Sequence, residues 1–287
     1  MADAENPVIV VTGASRGIGK GIAVEFGARG ATVYVVGRST AGASGMSPTG
    51  EALPGSIEEA ADAVTAAGGK GIPVACDMAN DAEIRALFER VERESGRVDI
   101  LVNNAASLHS DMGRRPFWEA SVRLADIIDV GLRCHHVASH TAAPLLIRGG
   151  RGLIVNISFY GNAKVHDPAY YAAKAGLDKL ASVYAEDFTP FGVAAISLWP
   201  GYVKTERAEM IAGDRMEELA GMSLESVRYC GRVIGALWDD PDMMALTGKT
   251  LIAAELGERY GVSDLEGFSP KSLRDLYGSP HPQFDLA

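Results

Sequence analysis

Cysteine is scarce in this chain: Cys76, Cys134 and Cys230 are odd in number, far apart and without CxxC spacing. That excludes a disulfide framework and a thiolate metal site, and it points to a reducing compartment. Histidines do not make up the deficit, because His109, His135, His136 and His166 match no metal-ligand spacing. Long apolar runs are missing as well. None approaches the roughly 18–20 residues that a membrane span needs, and the acidic opening MADAENP has no apolar core of the signal-peptide kind. Positive charge is in deficit, with 27 Lys and Arg against 37 Asp and Glu and a formal net charge of −10. Such a balance argues against a nucleic-acid or anionic-lipid surface, so any anionic ligand must be captured by local groups. A soluble, cytoplasmic protein is the expectation.

What is present is a rhythm. VIVVT (8–12), ATVYVV (31–36), GIPVAC (71–76), DILVNN (99–104), GLIVNIS (152–158), VAAISLW (193–199) and KTLIA (249–253) are short and apolar at nearly every position. A strand wet on one face would alternate, so these runs predict a parallel sheet covered on both sides. Helix-like stretches lie between them. DAEIRALFERVERE (81–94) places Ile84, Leu87, Phe88 and Val91 on one face behind an acidic first turn. Strand and helix alternate to the end, which predicts an α/β doubly wound single domain over residues 1–287, its core at about 7–200. One segment breaks the rhythm: STAGASGMSPTGEALPGS (39–56) is either a mobile surface loop or a flap beside the end of the second strand.

The junction of the first strand and helix, VVTGASRGIGKGIAVEF (10–26), carries Gly13, Gly17 and Gly19. Glycine brings bare backbone close to a ligand, and a helix starting at Gly17 aims free N–H groups and a positive dipole end at the same point. That is a phosphate site, most plausibly for a dinucleotide pyrophosphate. The second strand ends VVGRS, with Arg38 where an NAD site needs an acid to bind the ribose 2′-OH. A guanidinium there suits a 2′-phosphate, with Arg16 adding charge nearby, so NADP(H) ranks ahead of NAD(H).

Further motifs follow in order: CD at 76–77, NNAA at 103–106, Tyr170 and Lys174 in Y-x-x-x-K, and PGYVKTE at 200–206. With T-G-x-x-x-G-x-G at 12–19, they give a chain that resembles the short-chain dehydrogenase/reductase family from about residue 7 to 253. The resemblance implies a Rossmann fold with a seven-stranded parallel sheet, and an oxidoreductase that moves hydride between a nicotinamide cofactor and a carbonyl or alcohol. It also implies cofactor contacts from Gly13, Ser15, Arg16, Gly17, Ile18, Gly19, Arg38, Ser39, Asp77, Asn103, Ala105, Tyr170, Lys174, Pro200, Val203 and Thr205. Asp77 would meet the adenine, or else cap the helix that follows. Asn103 would stabilise the central strands, and Thr205 would meet the carboxamide or the diphosphate. A homodimer or homotetramer is implied, through the helices that carry Gly131 and Lys174.

The chemistry follows from Tyr170 and Lys174, four apart and so on one helical face. A free phenol ionises near 10, too high for proton transfer at neutral pH, and a nearby ammonium with the oxidised nicotinamide would lower that value. Tyr170 would exchange a proton with the substrate oxygen, and Ser158 would stabilise the developing oxyanion. Two departures from the family pattern stand out. The usual double serine is Ser158–Phe159, so either Ser158 serves with an adjusted loop or Phe159 fills the catalytic place. The family's helix asparagine is Gly131, which still offers a carbonyl and permits a local distortion. The segment 203–229 falls in the variable substrate-lid region, where Met210, Met216 and Met222 form an adaptable wall or pack in the core. A strand and polar tail occupy about 249–287. His166 either lines the cleft or is a solvated loop residue, and Trp199 reads as core. The competing function is an NADP(H)-binding sensor or scaffold with little turnover.

Overall fold

The computed structural model describes residues 6–43, 45, 52–109, 112, 116–161, 167–212 and 223–280. The seven apolar runs form β1 (Val8–Thr12), β2 (Thr32–Gly37), β3 (Lys70–Ala75), β4 (Ile100–Asn103), β5 (Gly152–Ile157), β6 (Val193–Trp199) and β7 (Thr250–Ile252). They make one parallel sheet in the order β3-β2-β1-β4-β5-β6-β7. β1, β4, β5 and β6 are buried at every position, which is why their sequences do not alternate. β3 lies at an edge and does alternate, and there Pro73 costs no ladder bond that a central strand would need.

Helices cover both faces. α1 (Gly17–Ala28) and α2 (Ile57–Ala66) pack on one side, and α3 (Asp81–Ser95) on the other. Alternate residues of each strand feed the two cores. Ile9, Val11 and Val33 meet Ile22, Phe26 and Val64 on the first side. Val10, Tyr34 and Leu101 meet Ile84, Phe88 and Leu145 on the second. The helix starts are set by local chemistry. Asn80 caps α3 by accepting the Ala82 N–H at 3.0 Å, and Gly96 ends it in the left-handed region. The long helix that carries Tyr170 opens at Asp167, which accepts the Ala169 N–H at 2.8 Å just before Pro168.

Before that helix, α4 (Asp126–Ile128) runs through a π-helical turn (Asp129–Arg133) into α5 (Cys134–Arg148). The distortion centres on Val130 (φ −104°, ψ 33°), beside Gly131, so the flexibility that glycine permits is used here. α6 (Pro168–Phe188) follows β5, and α7 (Glu206–Ala212) and α8 (Tyr229–Asp239) follow β6. α9 (Ala253–Tyr260) and α10 (Arg274–Tyr277) end the described chain. Strand order reverses between β1 and β4, and the crevice at the carboxyl ends of those strands is where ligands of such sheets bind. No helix among the described residues is long and apolar enough to cross a membrane, and the three cysteines are unpaired and buried.

Candidate active site

The glycine loop is clamped from the end of β4. Thr12 Oγ1 accepts the N–H groups of Asn104 at 3.0 Å and Ala105 at 3.1 Å, while Asn104 Nδ2 donates to the carbonyls of Thr12 and Gly13 at 2.9 and 3.1 Å. That closeness dictates the residue types. Gly13 has φ +65°, and a Cβ on it would lie 2.8 Å from Ala105 Cα; a Cβ on Gly19 would lie 2.5 Å from Asn104 Nδ2. Gly19 therefore seats α1 on the loop and does not itself face the ligand space.

A cleft of about 480 Å³ opens above this loop. Gly13, Ser15, Arg16, Gly17, Ile18, Arg38, Ser39, Ala105 and Thr205 all line it. Asp77, Asn103, Tyr170, Lys174, Pro200 and Val203 do not. Asp77 accepts the Ala79 N–H at 3.0 Å and lies 3.8 Å from Arg38. It shapes the turn before α3, and the helix cap expected of it falls to Asn80 instead. Asn103 is fully buried and donates to Ser139 Oγ and Asn156 Oδ1, both at 2.9 Å, tying β4 to α5 and β5. Val203 is bridged to Glu225, and Pro200 is buried at the end of β6.

Arg16 does something the sequence did not announce. Its guanidinium donates to the carbonyls of Pro54 and Gly55 at 2.8 Å each and to Ser39 Oγ at 3.0 Å. It pins the base of the 39–56 segment against the cleft, where Ala43, Gly45 and Leu53 add to the lining. Residues 44 and 46–51 lie outside the described residues. The loop is suited to an anion such as phosphate: the N–H of Gly17 at the start of α1 already donates to one, the Glu206 carboxylate, at 3.0 Å.

The proposed catalytic side chains sit at the junction of β5 and α6. Ser158 is buried and its Oγ donates to Lys174 O at 3.0 Å. Lys174 Nζ donates to Ile157 O at 2.8 Å and lies 5.4 Å from the centre of the Tyr170 ring. Phe159 packs 6.4 Å from the Tyr170 ring in a cluster with Tyr160 and Trp199, and Trp199 is core, as its sequence context suggested. Burial pulls the Lys174 ammonium down to about 8, partly offset by Asp178 one turn along the helix. Burial pushes the Tyr170 phenol above its ordinary value. This is opposite to the lowering expected from the lysine and an oxidised nicotinamide together: Nζ is turned to the Ile157 carbonyl, and burial dominates at the phenol. Of the lid methionines, Met210 is exposed; Met216 and Met222 lie outside the described residues, as does His166. No cluster of metal-ligating side chains occurs among the described residues.

Several site residues escaped sequence reasoning. Asn104 was signalled only by being doubled with Asn103. Asp178, whose carboxylate accepts from Ser197 Oγ at 2.5 Å and Trp199 Nε1 at 3.0 Å, stands four residues after Lys174, a spacing that could have found it. His135 is buried, donates from Nε2 to Ala105 O at 2.9 Å, and is pushed down to about 3 by burial and by Lys174. Glu206 and Arg207 reach the cleft from α7; Glu206 closed the PGYVKTE motif without a role assigned to it, and no local pattern marked Arg207.

Comparison with known proteins agrees with this architecture. The short chain dehydrogenase family matches residues 7–215. Dehydrogenase/reductase SDR family member 1 of Homo sapiens is 38% identical over 91% of this chain and 83% of its own length. Its Mus musculus counterpart is 37% identical over 96% and 88%. The crystal structure of a Xanthomonas campestris protein superposes with a TM-score of 0.77 at 27% identity, covering 92% of this chain and 93% of that one. The glycine cleft, the Tyr170–Lys174 pair and a family match across most of the sheet meet in one conclusion: the chain belongs to the short-chain dehydrogenase family.

Proposed function

We propose that the chain is an NADP(H)-dependent oxidoreductase that interconverts a ketone or aldehyde and the corresponding alcohol. The observation that carries this reading is the meeting of Ser158, Lys174 and Tyr170 at the carboxyl end of β5, with Ser158 Oγ 3.0 Å from Lys174 O and Lys174 Nζ under the Tyr170 ring. The bound nicotinamide would supply or accept the hydride. The glycine loop and Thr205 would hold its phosphates, and Arg38 and Ser39 would meet the 2′-phosphate at the end of β2. In reduction, Tyr170 Oη donates a proton to the substrate oxygen. Lys174, charged below about pH 8, favours the phenolate left behind. Ser158 Oγ rotates from the Lys174 carbonyl to donate to the oxygen as its charge develops. The chain would act as a single cytoplasmic domain. Self-association through the continuous α4–α5 helix that carries Gly131 and through α6, which carries Lys174, is supported by the exposed apolar Ile128 and Val183 on them.

The test is oxidation of NADPH and of NADH, followed by absorbance, against a panel of ketones and aldehydes with wild type and Tyr170→Phe. Wild type is expected to consume NADPH faster than NADH with at least one carbonyl, and the variant to lose about 100-fold or more. Cofactor binding with no turnover by wild type across the panel would replace this reading with that of a sensor or scaffold.

A further inference from the structure

Glu206 and Arg207 are consecutive on the first turn of α7, and both line the cleft above the glycine loop. Glu206 Oε2 accepts the Gly17 N–H at 3.0 Å, the position at which the α1 dipole favours an anion. The start of α7 is packed on the same loop, since a Cβ on Gly17 would lie 3.4 Å from Thr205 Cγ2. A phosphate and a carboxylate cannot share one N–H donor without strong repulsion. Arg207 presents the complementary charge. Its guanidinium is partly buried, lines the same cleft as Arg16 and lies within reach of its charge, and has no hydrogen-bond acceptor or carboxylate partner among the described residues. Arg16 has only Nη1 to spare for it, because its Nε and Nη2 donate to Pro54 O, Gly55 O and Ser39 Oγ. A desolvated cation without a partner is costly unless an anion completes it. In a chain of net charge −10, two guanidiniums on one cleft mark where that anion goes.

We propose that the Glu206 carboxylate occupies the cofactor's phosphate position in the free protein, and that dinucleotide binding exchanges it for Arg207, which then contacts the cofactor phosphates. The proposal rests on the nicotinamide-cofactor reading above. A short shift of the seven-residue α7 turn suffices, because Thr205 Oγ1 caps it locally through the Ala208 N–H at 3.1 Å. Cofactor affinity is reduced by the fraction of molecules in which Glu206 holds the site.

Equilibrium titration of NADPH and NADH, read by cofactor fluorescence and by calorimetry, tests this in wild type, Glu206→Gln, Arg207→Leu, Arg207→Gln and Arg207→Lys. Glu206→Gln is expected to bind NADPH several-fold more tightly, and Arg207→Leu about tenfold or more weakly, with Arg207→Lys recovering part of the loss. Arg207→Gln gives the same reading if Arg207→Leu does not fold. Wild type that binds neither cofactor overturns the cofactor reading itself. Wild type that binds while Glu206→Gln and the Arg207 variants match it overturns this inference alone. Unchanged cofactor binding with a raised KM for carboxylate-bearing carbonyls in Arg207→Leu also overturns it, assigning Arg207 to the substrate.

Discussion

Glu225 should make the fold less stable as pH rises toward 8, and Glu225→Gln should remove that dependence. Its side chain is buried, with Oε1 accepting the Gly201 N–H at 2.8 Å and Oε2 without a hydrogen-bond partner. Its backbone is zipped to the 201–205 loop, through Glu225 N–H to Tyr202 O at 2.7 Å and Lys204 N–H to Glu225 O at 2.9 Å. The carboxylate of Asp264 stands nearby, satisfied by the Ser226 N–H and hydroxyl and the Leu265 N–H, and Tyr160, Tyr229 and Cys230 are further titratable groups that feel the Glu225 charge. Burial first, and the Asp264 charge after it, push Glu225 up from 4.5 to about 8, against the pull of the Gly201 N–H.

An unfolded chain releases this proton near 4.5, while the folded one keeps it to about 8. Between those values the native state holds one more proton than the unfolded state, so stability falls with rising pH; below 4.5 and above 8 the two states match and the slope vanishes. One proton corresponds to about 1.4 kcal/mol per pH unit, on the order of 5 kcal/mol over the whole interval. Glutamine keeps the acceptor for Gly201 and cannot ionise. Urea denaturation followed by circular dichroism at half-unit steps from pH 5 to 9 gives the unfolding free energy of each protein, and the difference between them cancels the titration of Lys174 and the histidines. The variant should gain on wild type by about 1 kcal/mol per unit up to about pH 8 and hold its lead above it. Parallel curves, or a wild type that stays ahead at pH 8, would refute the reasoning.

Two other substitutions probe different links. Gly21→Ala would put a Cβ 1.9 Å from Val227 O, a backbone atom with no room to yield, where α1 meets the segment entering α8; a loss of about 2–4 kcal/mol, seen as a lower thermal midpoint, is expected, and an unchanged midpoint would disprove the contact. Arg38→Ala should weaken NADPH binding about tenfold and leave NADH binding unchanged, with no change in stability, because its ion pair with Asp77 is long and exposed. An equal loss for both cofactors would remove Arg38 from the 2′-phosphate.

The sheet was legible because its central strands are buried on both faces, so apolar runs had no competing explanation; only the edge strand β3 shows the alternation of a half-covered strand. The Tyr170–Lys174 pair was legible because helical spacing is local, and Gly131 was legible as a site of distortion, which became the π-helical turn. What the sequence hid were contacts between distant segments. Arg16 reads as a free cation beside a phosphate loop, yet its guanidinium holds carbonyls about 40 residues on. Asp77 stands before a helix and still loses the cap to Asn80, since the helix begins only at Asp81. Glu206 and Glu225 read as ordinary acids of the 203–229 segment until the fold brings one to Gly17 and buries the other under Gly201.

The Ser158–Phe159 pair becomes intelligible in the same terms. Phe159 sits in an aromatic cluster with Tyr160 and Trp199, against which Tyr170, Tyr202 and Tyr277 pack. Its ring lies 6.4 Å from Tyr170 and 6.3 Å from Tyr202, and the Tyr202 and Tyr277 hydroxyls are hydrogen-bonded. The end of the chain joins in: the Leu273 N–H donates to the Tyr160 hydroxyl at 3.2 Å, and Arg274 forks onto Glu255 of α9. A second serine at 159 would leave a cavity inside this cluster and loosen the stack that positions Tyr170 from behind. Residue 159 is thus committed to packing, while Ser158, one step earlier and facing α6, keeps a hydroxyl on the Lys174 carbonyl. That division of labour favours Ser158 as the oxyanion donor, and it makes the aromatic tail of this chain part of the support for Tyr170.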